Sequence, residues 1–264
     1  MFIPSRQPLL EATFLARYDR FIASVKLNGR TVDAHCVNTG RMEGLIQPGA
    51  RAWVSEAPAG SKRKLRYTLE LLEIDGICIG VNTQVPNHLA EEAVRAGWVP
   101  GLKRFSDLRR EVRYGENSRI DLLLRQGQID HYVEVKNCHL VYPDGGAYFP
   151  DSVSVRAAGH LRELAHCVSN GDKATVLFTV QRNDARQVLP SDLHDPEFAA
   201  EARRAFESGV RFVALGFEPS PKGFHFLGTV PVSLKEYDIE PLEPYREALK
   251  EFSGWKRRGK AKTT

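Results

Sequence analysis

Short segments that alternate apolar and polar residues, broken by tight-turn dipeptides, fill the first third of the chain. Asn28-Gly29 stands between segments 20–26 and 30–36, and Asp75-Gly76 between 67–73 and 77–81. Both dipeptides readily take the positive φ that the central residues of a type I′ turn require, so each pair of segments is expected to form a hairpin. A further strand at 51–55 brings the count to five within about 80 residues, the size of a small OB-like barrel. From 87 to 97 the spacing turns helical, with Asn87 as the expected N-cap and Gly97 at the end, as in a linker or domain boundary. Beyond residue 108, strands at 120–124, 132–141, 174–180, 210–217 and 224–227 mix with helices at 155–168 and 196–207. That order predicts an α/β domain with a mixed central sheet. The expected division is 1–84 for the barrel, 85–238 for the α/β domain and 239–264 for a basic tail.

Composition narrows the class. Of 264 residues 42% are hydrophobic and 27% charged, enough for a buried core, and the length favours two modest domains. No apolar run approaches the ~18–20 residues of a bilayer span, and Met1-Phe2-Ile3-Pro4 lacks the profile of a signal peptide, so a cytoplasmic protein without membrane contact is expected. Cys36, Cys78, Cys138 and Cys167 form no Cys-x-x-Cys pair. Reduced, buried thiols are therefore expected, not a thiolate zinc site or a disulfide framework. A net charge of +4, from 37 basic and 33 acidic residues, does not by itself require a polyanionic partner. From Arg246 onward, however, Lys250, Lys256, Arg257, Arg258, Lys260 and Lys262 face only Glu247 and Glu251, the make-up of a solvated, mobile tail with sequence-independent phosphate affinity.

The chemistry concentrates between Ser118 and Asn137. In the strand around Val133-Glu134-Val135-Lys136, the period of two sets Glu134 and Lys136 on one face and the valines on the other. Asp121 lies in the preceding strand among Ile120, Leu122, Leu123 and Leu124, a costly place for a charge unless it is paired or bound to a metal. Pairing of the two strands would bring Asp121 beside Glu134. Two converging carboxylates offer hard oxygen ligands to Mg²⁺ or Mn²⁺, and a neighbouring lysine orients water and neutralises phosphoryl charge. This Asp, spacer, Glu-x-Lys pattern resembles the active site of PD-(D/E)xK nucleases; taken alone, Glu-Val-Lys is equally an exposed ion pair. Glu111 is placed to add a carboxylate at the edge, or else is a surface residue among arginines. On the helix after Ser154, Arg156, His160 and Glu163 recur at i, i+4 and i+7, a stripe suited to phosphate or to solvent. On the barrel, Arg17, Tyr18, Arg20, Trp53, Arg63, Lys64, Arg66 and Tyr67 interleave basic and aromatic side chains, as single-strand binding surfaces do. The aromatics fit a core equally well.

Over nearly its whole length, from Leu15 to about Leu234, the sequence resembles the sugar fermentation stimulation protein (SfsA) family. The resemblance is carried by segments 35–42, 61–64 with 68–70, 81–83, Tyr114-Gly115 with 118–121, 133–136, 149–151 and 160–164. It implies an OB-fold that binds nucleic acid, a nuclease-like second domain, association with DNA and a regulatory link to sugar utilisation. The site set then comprises Asp121, Glu134 and Lys136, with Glu111 and His160 as further catalytic candidates; Arg119 and Arg156 join Arg17, Tyr18, Arg20, Arg63, Lys64 and Arg66 as nucleic-acid contacts. Two positions depart from the family: Val37 replaces a proline, and Gly159 replaces a lysine. Three readings follow: a Mg²⁺- or Mn²⁺-dependent nuclease acting on DNA, a non-catalytic DNA-binding regulator on a nuclease-like frame, and an RNA-binding OB protein whose Glu-Val-Lys is an ordinary salt bridge. A homodimer is compatible with each.

Overall fold

A computed structural model describes residues 1–115 and 118–258; Lys260 and Lys262 lie outside the described residues. In chain order the first elements are β1 (Phe2–Pro4), β2 (Leu9–Tyr18), β3 (Ile22–Leu27), β4 (Arg30–His35), β5 (Arg51–Glu56), β6 (Tyr67–Ile74) and β7 (Ile77–Gly80). Both hairpins turn where the sequence placed them, Asn28 and Gly29 at φ 49° and 78°, Asp75 and Gly76 at 51° and 78°. Strands β2 to β7 form one sheet in the order β4-β3-β2-β5-β6-β7, closed by β4 against β6 at Ala34/Tyr67 and His35/Thr68. The OB-like barrel thus has six strands instead of five. The unexpected one is β2, whose alternation is broken by a bulge between Phe14 and Ala16. The bulge shifts the inward parity from Ala12 and Phe14 to Arg17.

Helix α1 (Val85–Arg95) leads out of the barrel. It begins before Asn87, with Gln84 at its cap and Pro86 in its first turn, so Asn87 lies inside the helix and leaves its side chain free for another role. The second domain continues with β8 (Asp107–Tyr114), β9 (Ser118–Gln126), β10 (Ile129–Cys138), β11 (Leu140–Val141), β12 (Gly146–Phe149), α2 (Val155–Ser169), β13 (Lys173–Val180), β14 (Gln187–Pro190), α3 (Pro196–Glu207), β15 (Arg211–Ser220) and β16 (Gly223–Val230). Its mixed sheet runs β1-β16-β15-β13-β10-β9-β8, with β10, β13 and β15 parallel and the outer pairs antiparallel. This is an α/β domain of the PD-(D/E)xK nuclease-like class, except that its edge strand β1 comes from the N-terminus of the chain.

Packing fixes the two parts against each other. Leu161 and Leu164 of α2 and Phe198 and Ala202 of α3 cover Val176 and Phe178 on one face of the sheet. On the other, Leu122, Val133, Val135 and Leu215 share a single buried cluster with Leu89 and Ala93 of α1 and with Trp53 and Leu71 of the barrel. Burial of this shared core holds α1 as a wedge between barrel and sheet.

The end of the chain corrects the expectation of a loose basic tail. After α4 (Glu243–Leu249) the backbone returns along the barrel. Ile46 donates to the Phe252 carbonyl at 2.9 Å, Gly254 to that of Arg41 at 2.7 Å, and Lys256 to that of Arg17 at 3.0 Å. Arg258 closes the run on Asp33 at 2.6 Å. Paired backbone anchors this segment, and the Arg258–Asp33 ion pair closes it.

One buried residue sets an acid limit on the fold. His131 is 1% exposed and bonds Thr175 Oγ1 at 2.8 Å. Burial, with the charges of Arg211 and Lys173, pushes its pKa from 6.5 down to about 4. The unfolded chain therefore takes up this proton at a higher pH than the folded one. Stability is full above about 6.5 and falls between there and 4, by up to about 3 kcal/mol. Urea unfolding across that window should show the slope in the parent and a shallower one in His131→Asn.

Candidate active site

Asp121 and Glu134 come together because the β9–β10 hairpin register ends at Leu122/Val133; continued by one step it sets the two carboxylates opposite each other. There the strands part, and Asp121 turns to side chain and backbone donors. Its Oδ1 accepts from Asn87 Nδ2 at 2.7 Å and its Oδ2 from the Val135 amide at 2.7 Å. Burial, with the charge of Glu134, raises the Asp121 pKa from 3.8 to about 6, against the pull of those two donors and Lys136.

Glu134, 3% exposed, projects from β10 toward α2. Its Oε1 accepts from Lys136 Nζ at 2.6 Å and from His160 Nδ1. Burial alone would raise its pKa; Lys136 and His160 outweigh it and hold the carboxylate below its usual value. Glu134 Oε2 is buried without a hydrogen-bond partner. His160 Nε2 accepts from Arg156 Nε at 3.3 Å, so it is the Nδ1 proton that the ring donates to Glu134. His160 thus orients the carboxylate from α2.

The neighbouring site residues differ in their placement. Glu111 stands opposite Asp121 in the β8–β9 ladder, between the pairs Arg110/Leu122 and Val112/Ile120, but it is exposed and its φ of 52° interrupts the pairing. Arg119 is exposed opposite Arg113. Gly159 lies within α2, and a Cβ there would meet only the Arg162 guanidinium, at 4.0 Å. Gly159→Ala should therefore stabilise the protein by roughly 0.5–1 kcal/mol, read as a rise in melting temperature, because it removes backbone freedom from the unfolded chain at no steric cost.

Of the expected nucleic-acid contacts, Arg63 and Lys64 are exposed in the β5–β6 loop, and Arg66 pairs with Glu56. Arg20 is exposed, and its guanidinium lies 4.7 Å from the Trp255 ring; Arg258 lies over Tyr18 at 5.5 Å. Arg17 is a correction: it is 1% exposed, buried beneath the β2–β3 turn and the loop at 38–40, and donates to the carbonyls of Arg20, Asn38 and Gly40. The bulge in β2 is what turns it inward.

A cleft of about 730 Å³ opens between the barrel loop 38–41, the start of α1 and the end of β10; Asn38, Arg41, Asn87, Lys136, Asp151 and Trp255 are among its lining residues. Sequence reasoning missed Asn87 and Trp255. For Asn87 the only local signal, a polar residue at a helix start, also fits a cap. For Trp255 there was none. Among the described residues no group of three or more His, Cys, Asp or Glu is placed to hold a metal ion.

Comparison with known proteins matches residues 15–81 to the SfsA N-terminal OB domain and 84–223 to the sugar fermentation stimulation protein RE domain. A sugar fermentation stimulation protein homolog of Thioalkalivibrio sulfidiphilus is 46% identical over 217 residues, covering 81% of this chain and 91% of the relative. One from Geotalea uraniireducens is 44% identical over 229 residues, covering 86% and 98%. Among solved structures, SfsA of Pyrococcus furiosus, determined in complex with Ca²⁺, superposes with a TM-score of 0.80 at 28% identity over 88% of this chain and 99% of that one.

Proposed function

Since this chain belongs to the sugar fermentation stimulation protein family, with both family domains present in order, we propose that it binds DNA and hydrolyses phosphodiesters with Mg²⁺ or Mn²⁺ at Asp121 and Glu134. The observation that carries this reading is Glu134: a buried carboxylate, ionised between Lys136 and His160, with one oxygen left unpartnered and its charge felt at Asp121. A buried acceptor without a donor is costly, and a divalent cation would satisfy it. The Ca²⁺ in the Pyrococcus furiosus relative supports a divalent ion in this family.

A bound cation would supply Lewis-acid stabilisation of phosphoryl charge. The chain's own groups do the rest. Asn87 and the Val135 amide fix Asp121 from two sides. His160 fixes Glu134, and the Lys136 ammonium, at the cleft, donates to an attacking water and offsets charge developing on the phosphate. Exposed Arg20, Arg63, Lys64 and Arg156 meet the phosphate backbone outside the reaction centre.

The test is a cleavage assay on single-stranded and duplex DNA with Mg²⁺ or Mn²⁺, paired with calorimetric titration of the ions. Ion binding lost in Asp121→Ala, with cleavage that needs the ion, is the expected result. DNA binding with neither ion binding nor cleavage would leave a DNA-binding protein on a nuclease-like frame.

A further inference from the structure

The return of the chain along the barrel brings an indole to the mouth of the cleft. Trp255 is 40% exposed, an unusual placement for so large an apolar surface. It is held from both sides of the sequence: Gly254 donates to the Arg41 carbonyl at 2.7 Å, and Lys256 to that of Arg17 at 3.0 Å. The guanidinium of Arg20 lies 4.7 Å from the ring centroid and that of Arg17 5.6 Å. The ring is therefore both fixed and flanked by cations, and it lines the same cleft as Arg20, Arg41 and Lys136. The one carboxylate in that lining, Asp151, is occupied: it accepts from the Met42 amide at 3.1 Å and faces His139 at 3.4 Å.

We propose that Trp255 is a stacking platform for an unpaired nucleobase, with Arg20 and Arg41 on the adjoining phosphates, so that the cleft leading to Lys136 receives a single strand. A duplex keeps its bases stacked on one another; only a single strand presents a π-face to an exposed indole. A cationic rim beside an aromatic surface matches the polyanion and its bases together. This deepens the reading of the site as one that acts on nucleic acid.

The experiment measures binding of a fluorescein-labelled oligothymidylate to the full-length protein in EDTA, where no metal is needed and no cleavage occurs. An oligouridylate arm separates DNA from RNA as the source of the single strand, and a duplex of the same length serves as reference. Trp255→Ala should weaken single-strand binding roughly 5- to 150-fold while leaving the duplex nearly unchanged. Trp255→Phe, which keeps a stacking surface, should restore affinity and lose the quenching of indole fluorescence expected of the parent on binding. Equal single-strand affinity in parent and Trp255→Ala overturns the proposal, as does an equal loss for duplex or a parent that binds no single strand. Because the assay excludes metal, failure of metal-dependent cleavage leaves this result standing on its own.

Discussion

Glu134→Gln is expected to abolish metal-dependent cleavage while single-strand binding in EDTA persists. The amide keeps the volume of the side chain and removes the charge that holds Lys136 at 2.6 Å and accepts from His160. Loss of an outer-shell partner commonly weakens a metal site 10–100-fold; removal of one of only two carboxylates should exceed that. Lys136→Met separates the roles. It deletes the positive charge next to the carboxylates, so ion binding should hold or tighten, yet cleavage should fall by about 10²–10³-fold, the effect of removing one preorganised electrostatic donor. Calorimetry for the ion and single-turnover kinetics for the chemistry read the two effects separately. If Lys136→Met lost the ion as fully as Glu134→Gln, Lys136 would be holding the site together, not serving the reaction.

What the sequence disclosed follows the range of the forces involved. Asn28-Gly29 and Asp75-Gly76 are local turn chemistry, and both hairpins form there. The helix at 196–207 has its cap, Asp195, and its apolar stripe within a few residues, and it runs over just those positions. Glu134 and Lys136 share a face because a strand has a period of two. The edge strand β8, sequence Asp-Leu-Arg-Arg-Glu-Val-Arg-Tyr, stayed hidden because an exposed edge needs no apolar alternation. Asn87 reads as a cap in the sequence because its contact lies 34 residues away on Asp121. Trp255 and the basic terminus looked solvated because what holds them is backbone pairing to residues more than 200 positions earlier, which composition does not register.

Arg17 is the residue whose role differs most from its sequence reading, and it supports the second large prediction: Arg17→Met should cost about 3–5 kcal/mol of stability. The guanidinium is buried and spreads its donors over four carbonyls, those of Arg20, Asn38, Gly40 and Gly254. Methionine fills similar volume but donates nothing, so each carbonyl that stays buried loses about 1–3 kcal/mol. Relief from burying a charge offsets part of this, since burial already depresses the Arg17 pKa. The net loss corresponds to a fall in melting temperature of roughly 6–20 °C for a chain of this size. Arg17→Lys keeps the charge but not the planar fork and should fall between. The four carbonyls belong to the β2–β3 turn that carries Arg20, the loop at 38–40 that lines the cleft, and the strap that carries Trp255. Arg17→Met should therefore also make the chain beyond Phe252 more sensitive to protease, even at temperatures where the barrel stays folded. An unchanged melting temperature with an unchanged digestion pattern would mean that the backbone pairs alone hold the strap in place.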